Sequence, residues 1–243
     1  LKIYPHTEEP GYHLLFSTKR ASIILLHESV LKSVGEGSLS SSDEEALFSL
    51  GFLVSDVDEE KKEMLSIIDE ANKKRKRLNA MVVMNLDCNL ACTYCYEGGM
   101  KGRFYMSSET ADLLIDFIEK NYLNNGKDVH LDFYGGEPLL SIELIKYISG
   151  KLKSKVEKRG PGYSFNLVTN GTLLKGRIAE ELASLGLKSA KVTMDGPREN
   201  HNNFRPFKTG SGSFDTIIRN IKEACSVIEI QIGGNYIPEN YRE

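Results

Sequence analysis

The chain has 243 residues, 40% of them hydrophobic and 27% charged, and 31 Lys+Arg against 34 Asp+Glu leave a formal net charge of −3. This composition excludes a disordered or collagen-like chain, and four cysteines are too few for a disulfide-stapled mini-protein. The slightly acidic balance argues against nucleic acid or an anionic membrane as the main partner, and no apolar run nears the ~20 residues that span a bilayer. With no charged-then-apolar signal segment at its start, the chain reads as soluble and cytoplasmic. It opens on Leu1 and stops in a polar stretch, 237–243, that reads as the start of a helix, so part of a longer protein is expected.

Residues 1–78 read as a small winged-helix-like α+β module. Tyr12–Phe16 and Ala21–Leu26 are apolar runs around a polar Ser17–Arg20 turn, as in a hairpin or a strand followed by a helix. A Gly/Ser linker, Gly35–Ser42, leads into a capping box at Ser42-Asp43-Glu44-Glu45 and a short helix through Leu50. Gly51 stops that helix, and Phe52–Val54 reads as a strand. Asp58–Arg77 is a charged amphipathic helix with Met64, Leu65, Ile67 and Ile68 on its buried side. The basic run Lys73–Arg77 reads as favourable charge at a helix C-terminus rather than as a nucleic-acid patch, because Glu59, Glu60, Glu63, Asp69 and Glu70 share the helix.

Residues 79–243 form a second domain of alternating strands and helices. Ala80–Leu86, Val129–Tyr134, Tyr163–Thr169, Lys188–Met194 and Val227–Ile232 read as strands; Ser107–Tyr122, Ser141–Glu157, Leu173–Leu185 and Ser213–Cys225 read as helices. Ser107 and Ser213 stand where helix caps belong, and Gly186 follows a helix end. Such alternation means βαβ units, a parallel sheet, and function carried by loops at the C-terminal ends of the strands.

The loop after the first of these strands holds Cys88-Asn89-Leu90-Ala91-Cys92-Thr93-Tyr94-Cys95. Three thiolates in one loop can converge on a metal centre, and their odd number argues against disulfides. A structural zinc site asks for four protein ligands, and His130 is the candidate for the fourth; an iron–sulfur cluster with one open iron needs no fourth.

Cys-x3-Cys-x2-Cys with an aromatic before the last cysteine resembles the signature of the radical S-adenosylmethionine enzymes. The resemblance implies that Cys88, Cys92 and Cys95 hold a [4Fe–4S] cluster. S-adenosylmethionine binds the open iron, and one electron releases a 5′-deoxyadenosyl radical that abstracts hydrogen from the substrate. It also implies a partial (β/α)6 TIM-like barrel, of which residues 80 to 236 supply about five βα units. Tyr94 resembles the family aromatic that sits against cluster and adenine.

Further motifs fall at the other strand ends. Phe133-Tyr134-Gly135-Gly136-Glu137-Pro138 resembles the family's Gly-Gly-Glu-Pro motif, which binds the cofactor's amino group. Its glycines allow close backbone approach, and Glu137 is expected to stabilise the ammonium charge. Thr169-Asn170-Gly171 resembles the family's Thr-Asn-Gly element beside the cofactor. Thr193-Met194-Asp195-Gly196-Pro197 with His201-Asn202 and Arg205 resembles Ser-x-Asp-Gly-Pro…His-Asp-x-x-Arg, in which the hydroxyl and the arginine contact the cofactor. Thr193 keeps the hydroxyl, whereas Asn202 replaces the aspartate. Tyr96 reads as packing and Cys225 as a buried structural cysteine; His6, His13 and His27 receive no chemistry, and the residue that gives or takes the hydrogen atom is not identified.

These patterns point toward the SPASM/twitch group of peptide and protein maturases, although Cys225 alone is to spare for auxiliary clusters. Peptide maturases often open with a winged-helix element that binds a precursor's leader as an added strand, and Leu50–Val54 resembles it; a structural N-terminal cap on the barrel is the equal alternative. The resemblance implies a precursor peptide or protein substrate and an electron donor such as flavodoxin or ferredoxin. Thioether or carbon–carbon cross-linking of a ribosomal peptide is the leading expectation. Sulfatase-maturase-like or small-molecule chemistry is the alternative among enzymes, and an iron–sulfur winged-helix regulator is the alternative of another class.

Overall fold

The computed structural model describes residues 2–157, 160 and 162–236. The helix expected to start within 237–243 lies outside the described residues. The chain divides into two units, Leu1–Lys74 and Arg75–Glu243. The boundary falls before residue 78 because the second unit's first strand already starts at Arg77. Among the described residues no helix is long and apolar enough to cross a membrane.

In the first unit three strands precede three helices. β1 (Lys2–Pro5), β2 (Tyr12–Phe16) and β3 (Ile23–His27) form an antiparallel sheet in that order, which settles the expected hairpin. They are followed by α1 (Glu28–Glu36), α2 (Ser41–Ser49) and α3 (Val57–Lys74). The expected Gly/Ser linker shortens, because α1 runs through Gly35 and ends at Gly37 with φ +67°. The cap of α2 is Ser40, whose hydroxyl accepts from Asp43 N at 3.1 Å; the capping serine therefore stands two residues before the expected one. The expected strand at Phe52–Val54 is not formed. Gly51 is left-handed (φ +75°) and the N–H groups of Phe52 and Leu53 fold back onto Leu47 O, so this stretch is the C-terminal turn of α2. Met64, Leu65, Ile67 and Ile68 are exposed, not buried, and the amphipathic pattern of α3 marks an uncovered face.

The second unit is a five-stranded parallel sheet: β4 (Arg77–Asn85), β5 (Asp128–Gly135), β6 (Tyr163–Thr169), β7 (Leu187–Thr193) and β8 (Glu229–Gly233). The crossovers carry α4 (Ser108–Asn121), α5 (Ile142–Glu157), α6 (Gly176–Ser184), and the pair α7 (Arg198–Phe204) and α8 (Phe214–Ala224). Strand order equals chain order, so crossovers of one hand place every helix on the same side of the sheet. The side-chain alternation agrees: Val129, Leu131 and Phe133 are buried, while His130, Asp132 and Tyr134 between them are half-buried. A doubly covered sheet would bury both sets.

One apolar core joins strands and helices. Val82, Met84, Leu131, Phe133, Phe165 and Leu167 meet Ile115, Ile118, Ile145, Ile148, Leu152, Leu182 and Ile217 there. Phe133 and Phe165 pack edge to face at 5.3 Å between ring centroids. Sequential parallel strands with helices on one face are the open arc of a (β/α) barrel, and the motif-bearing loops follow its strands' C-terminal ends. Ser107 caps α4 by accepting from Thr110 N, as expected. Ser213 precedes α8 without capping it, and Asn202 Oδ1 accepts from Phe214 N there instead. Cys225 is exposed rather than buried, because the last turn of α8 turns it away from the core.

Candidate functional site

The cysteine loop is fixed by backbone pairing. Ala91 N donates to Pro206 O at 2.8 Å, Thr93 N to Phe204 O at 3.0 Å, and Lys208 N to Asn89 O at 3.0 Å. The buried Leu90 side chain anchors the loop from below. Asp87 fastens its start by accepting from Cys88 N (2.8 Å), Lys208 Nζ (2.9 Å) and Tyr105 OH (2.7 Å). The Lys208 and Tyr105 hydrogen bonds hold the Asp87 carboxyl below its ordinary range.

At the end of β5 the two glycines serve a packing need. A Cβ on Gly135 would stand 2.3 Å from Asn85 O, and one on Gly136 2.2 Å from Asp87 O. Gly136 N then donates to Asn85 O and Glu137 N to Asp87 O, drawing the two strand ends together beneath the cysteines.

Glu137 is fully buried and looks away from the cavity. Its carboxylate accepts from Leu139 N (3.0 Å), Thr169 Oγ1 (2.7 Å) and Asn170 N (2.8 Å). Burial pushes its pKa up against these donors. The side chain thus ties the end of β5 to the end of β6 as a latch. Asn170 continues the brace, donating to Asn89 Oδ1 at 2.8 Å and lying 3.6 Å from Cys88 Sγ.

Beyond β7, Arg205 Nη1 donates to Tyr94 OH at 2.7 Å, and Tyr94 OH donates to the buried Asp195 carboxylate. Asn235 N also donates to Asp195, at 2.9 Å. His201 holds this corner in place. Its Nδ1 accepts from Asp195 N at 3.2 Å, so Nε2–H donates to Ser213 Oγ (3.0 Å), which donates to Arg205 O (2.6 Å).

Burial, helped by the Arg205 charge, lowers the His201 pKa to about 4. The unfolded imidazole takes a proton below its ordinary 6.5 whereas the folded ring resists until about 4, so folding stability falls as pH drops through that window. At roughly 1.4 kcal/mol per unit the loss is about 3 kcal/mol. Between pH 7 and pH 4.5 urea unfolding is expected to show the wild type losing about 2 kcal/mol more than His201→Asn.

One cavity of about 360 Å³ gathers these strand ends. Of the eleven residues expected at the site, ten line it: Cys88, Cys92, Cys95, Tyr94, Gly135, Gly136, Thr169, Asn170, Thr193 and Arg205. Glu137 is the exception. Tyr96, Glu97, Lys101, Tyr134 and Asn235 join the lining without having been expected there. Tyr96, expected to be packing, is exposed, and its hydroxyl meets Tyr134 OH at 2.5 Å. No spacing rule flags these positions; Tyr134 alone stands inside a motif.

The site fits the cluster and cofactor that the motif implies. Burial pushes the Cys88 and Cys92 thiols up, and Arg205 pulls Cys92 back, so these sulfurs gain from a metal that keeps them as thiolates. The buried Arg205 Nε has no hydrogen-bond partner among the described residues, leaving a donor for a ligand. Among the described residues no three His, Cys, Asp or Glu side chains gather round a single-ion position. His130 is not a fourth ligand, since its ring nitrogens are bound to Ser164 Oγ (2.8 Å) and Asn166 Nδ2 (2.9 Å) in the middle of the sheet.

Comparison with known proteins agrees with this geometry. Residues 82–243 match the Radical SAM superfamily. The chain is 32% identical over 157 residues to the Fe-coproporphyrin III synthase of Methanosarcina barkeri, covering 63% of this chain and 35% of that protein. It is 32% identical over 140 residues to the serine-type anaerobic sulfatase-maturating enzyme of Bacteroides thetaiotaomicron, covering 55% and 33%. The structure of native anSMEcpe with bound AdoMet superposes with a TM-score of 0.55 at 25% identity, over 64% of this chain and 43% of that one. The matched segments are less than half the length of each of these relatives. Members of the superfamily bind a [4Fe–4S] cluster and S-adenosylmethionine, and the residues that would serve them line one cavity here. The chain belongs to the radical SAM superfamily.

Proposed function

We propose that the protein uses this cavity to modify a peptide. The observation that carries the reading is the convergence of three thiols from one loop with Gly135, Gly136, Thr169, Asn170, Thr193, Arg205 and Tyr94 at the strand ends. When bound, a [4Fe–4S] cluster and S-adenosylmethionine supply one-electron cleavage to a 5′-deoxyadenosyl radical. Cys88, Cys92 and Cys95 would hold the cluster. The main chain at Gly135 and Gly136 would receive the cofactor's amino group, Arg205 its carboxylate, and Tyr94 its adenine. Glu137 and His201 keep those groups in place. A reductant such as flavodoxin or ferredoxin would deliver the electron.

The peptide part of the reading rests on the first unit. β3 is an edge strand, and Ser17 N bonds Ser22 O while Glu28 N bonds Gly11 O. By antiparallel alternation, Ile23, Leu25 and His27 then turn their N–H and C=O groups outward. Such an edge can take an extended leader as a fourth strand. A second reading, modification of a sulfatase, is favoured by the similarity to sulfatase-maturating enzymes of Bacteroides thetaiotaomicron and Clostridium novyi.

Titration of the full chain with synthetic peptides encoded beside its gene tests the choice. Leader binding is expected to weaken about tenfold or more in Leu25→Pro, because proline removes an outward donor while the bonds to β2 remain. Modification of a sulfatase-derived peptide, with no binding of a neighbouring precursor, would favour the second reading.

A further inference from the structure

The sheet face opposite the helices carries a polar row that the cofactor site does not use. Asp132, Asn166, Ser189 and Glu229 are register partners across β5, β6, β7 and β8. Three of them are wired in one direction. Ser189 Oγ donates to Asn166 Oδ1 at 2.9 Å, and Asn166 Nδ2 donates to Asp132 Oδ1 at 3.2 Å. Asn166 Nδ2 also donates to His130 Nε2, so the His130 ring spends its proton on Ser164. All this donor capacity fixes Asp132 while using one of its oxygens. Asp132 Oδ2 has no hydrogen-bond partner among the described residues, and the side chain is 36% exposed. An ionised carboxylate is acceptor-only, so this solvent-reachable oxygen can accept from an incoming donor.

Its surroundings say which donor. On β4 the register partner of Asp132 is Met81, and Val83 partners Tyr134. Val82 and Met84 face the core, so Met81 and Val83 lie on the same face as Asp132, exposed by 63% and 47%. A carboxylate beside an apolar wall suits an alkyl stem that ends in a cation. His130 Nε2 lies 3.7 Å from the already bonded Asp132 Oδ1, while farther along the sheet Glu229 is engaged by Gln231 Nε2 at 2.8 Å and the Lys191 stem lies over Gly233 of β8. Tyr134, two residues along β5 from Asp132, lines the cofactor cavity. Two residues of strand span about 6–7 Å, close to the length of a lysine side chain.

We propose that Asp132, with Met81 and Val83, forms a subsite for a substrate alkylammonium or guanidinium group, which sets the substrate's depth below the cofactor cavity. The substrate class, a peptide with a lysine or arginine near the reacting carbon, rests on the peptide-modifying reading above; the cation subsite does not.

Calorimetric titration of the anaerobically reconstituted full chain tests it. The probes are Gly-Gly-Lys-Gly-Gly against its norleucine analogue, and n-pentylamine against n-pentanol. At least one cationic probe is expected to bind about tenfold tighter than its neutral partner. That preference should vanish in Asp132→Asn, which keeps the Asn166 bond, and persist in Asp132→Glu. Iron content and near-ultraviolet circular dichroism check that each variant is folded and loaded. Equal binding of charged and neutral probes, or a preference unchanged in Asp132→Asn, overturns the subsite. An Asp132-dependent preference for pentylamine without one for the peptide upholds the subsite and removes the peptide reading.

Discussion

Cys92→Ala is expected to lose the iron centre. Cys92 is the middle of three thiols on a loop pinned by backbone bonds to residues 204–208, and the remaining cysteine, Cys225, ends α8 where the chain enters the start of β8, at the end of the sheet opposite the motif loops. Loss of a partner that merely supports a metal ligand commonly costs 10- to 100-fold in affinity or activity, so loss of a ligand should cost more than about 100-fold. Anaerobic reconstitution followed by iron and sulfide analysis checks this. The wild type should carry about four irons per chain, and Cys92→Ala well under one. Cys225→Ala should match the wild type. S-adenosylmethionine is expected to bind the cluster's open iron, so weakened binding should accompany the lost iron.

Glu137→Ala is expected to have the largest effect on stability. It leaves Leu139 N–H, Thr169 O–H and Asn170 N–H without their acceptor at a fully buried position. Each unsatisfied buried donor costs about 1–3 kcal/mol, against a net stability of about 5–15 kcal/mol for a typical domain. The variant should unfold at much lower urea or fail to accumulate. Glu137→Gln keeps the shape and one good acceptor, and should lose about 1–2 kcal/mol.

A pH series separates charge from shape. The folded Glu137 pKa is raised, so its favourable contribution is present below the ordinary 4.5 and is lost as pH rises through the folded value. The stability gap between wild type and Glu137→Gln should therefore shift against the wild type as pH climbs from 4.5. A gap that moves the other way would mean that the three donors outweigh burial.

How much of this was legible depends on the kind of residue. The strands of the second unit were readable because Val, Leu and Phe alternate with polar residues, as at Val129–Tyr134, and the cysteine loop because its spacing is rare. The first unit was less so. β1, four exposed residues, has no buried face to leave a periodic trace. Phe52–Val54 looks like a strand locally but is decided by one left-handed glycine and a carbonyl five residues upstream. The exposed face of α3 shows that amphipathicity marks an apolar stripe without naming its cover.

At the site the motif glycines and hydroxyls were legible, but the packing they take part in was not. Gly135 and Gly136 make room for the Asn85–Asp87 backbone, and Glu137 faces inward. Both depend on which strand ends meet in space, and no local pattern encodes that. Tyr96, Lys101 and Asn235 reach the cavity for the same reason. Asp132 escaped notice because its importance comes from partners on two other strands.

This cavity is expected to support one-electron cleavage of S-adenosylmethionine. The direct measurement is product analysis of anaerobically reconstituted, dithionite-reduced protein incubated with S-adenosylmethionine. The wild type is expected to give 5′-deoxyadenosine and methionine in equal amounts, and Cys92→Ala none above background. Intact S-adenosylmethionine in the presence of a fully loaded, reduced cluster would contradict it.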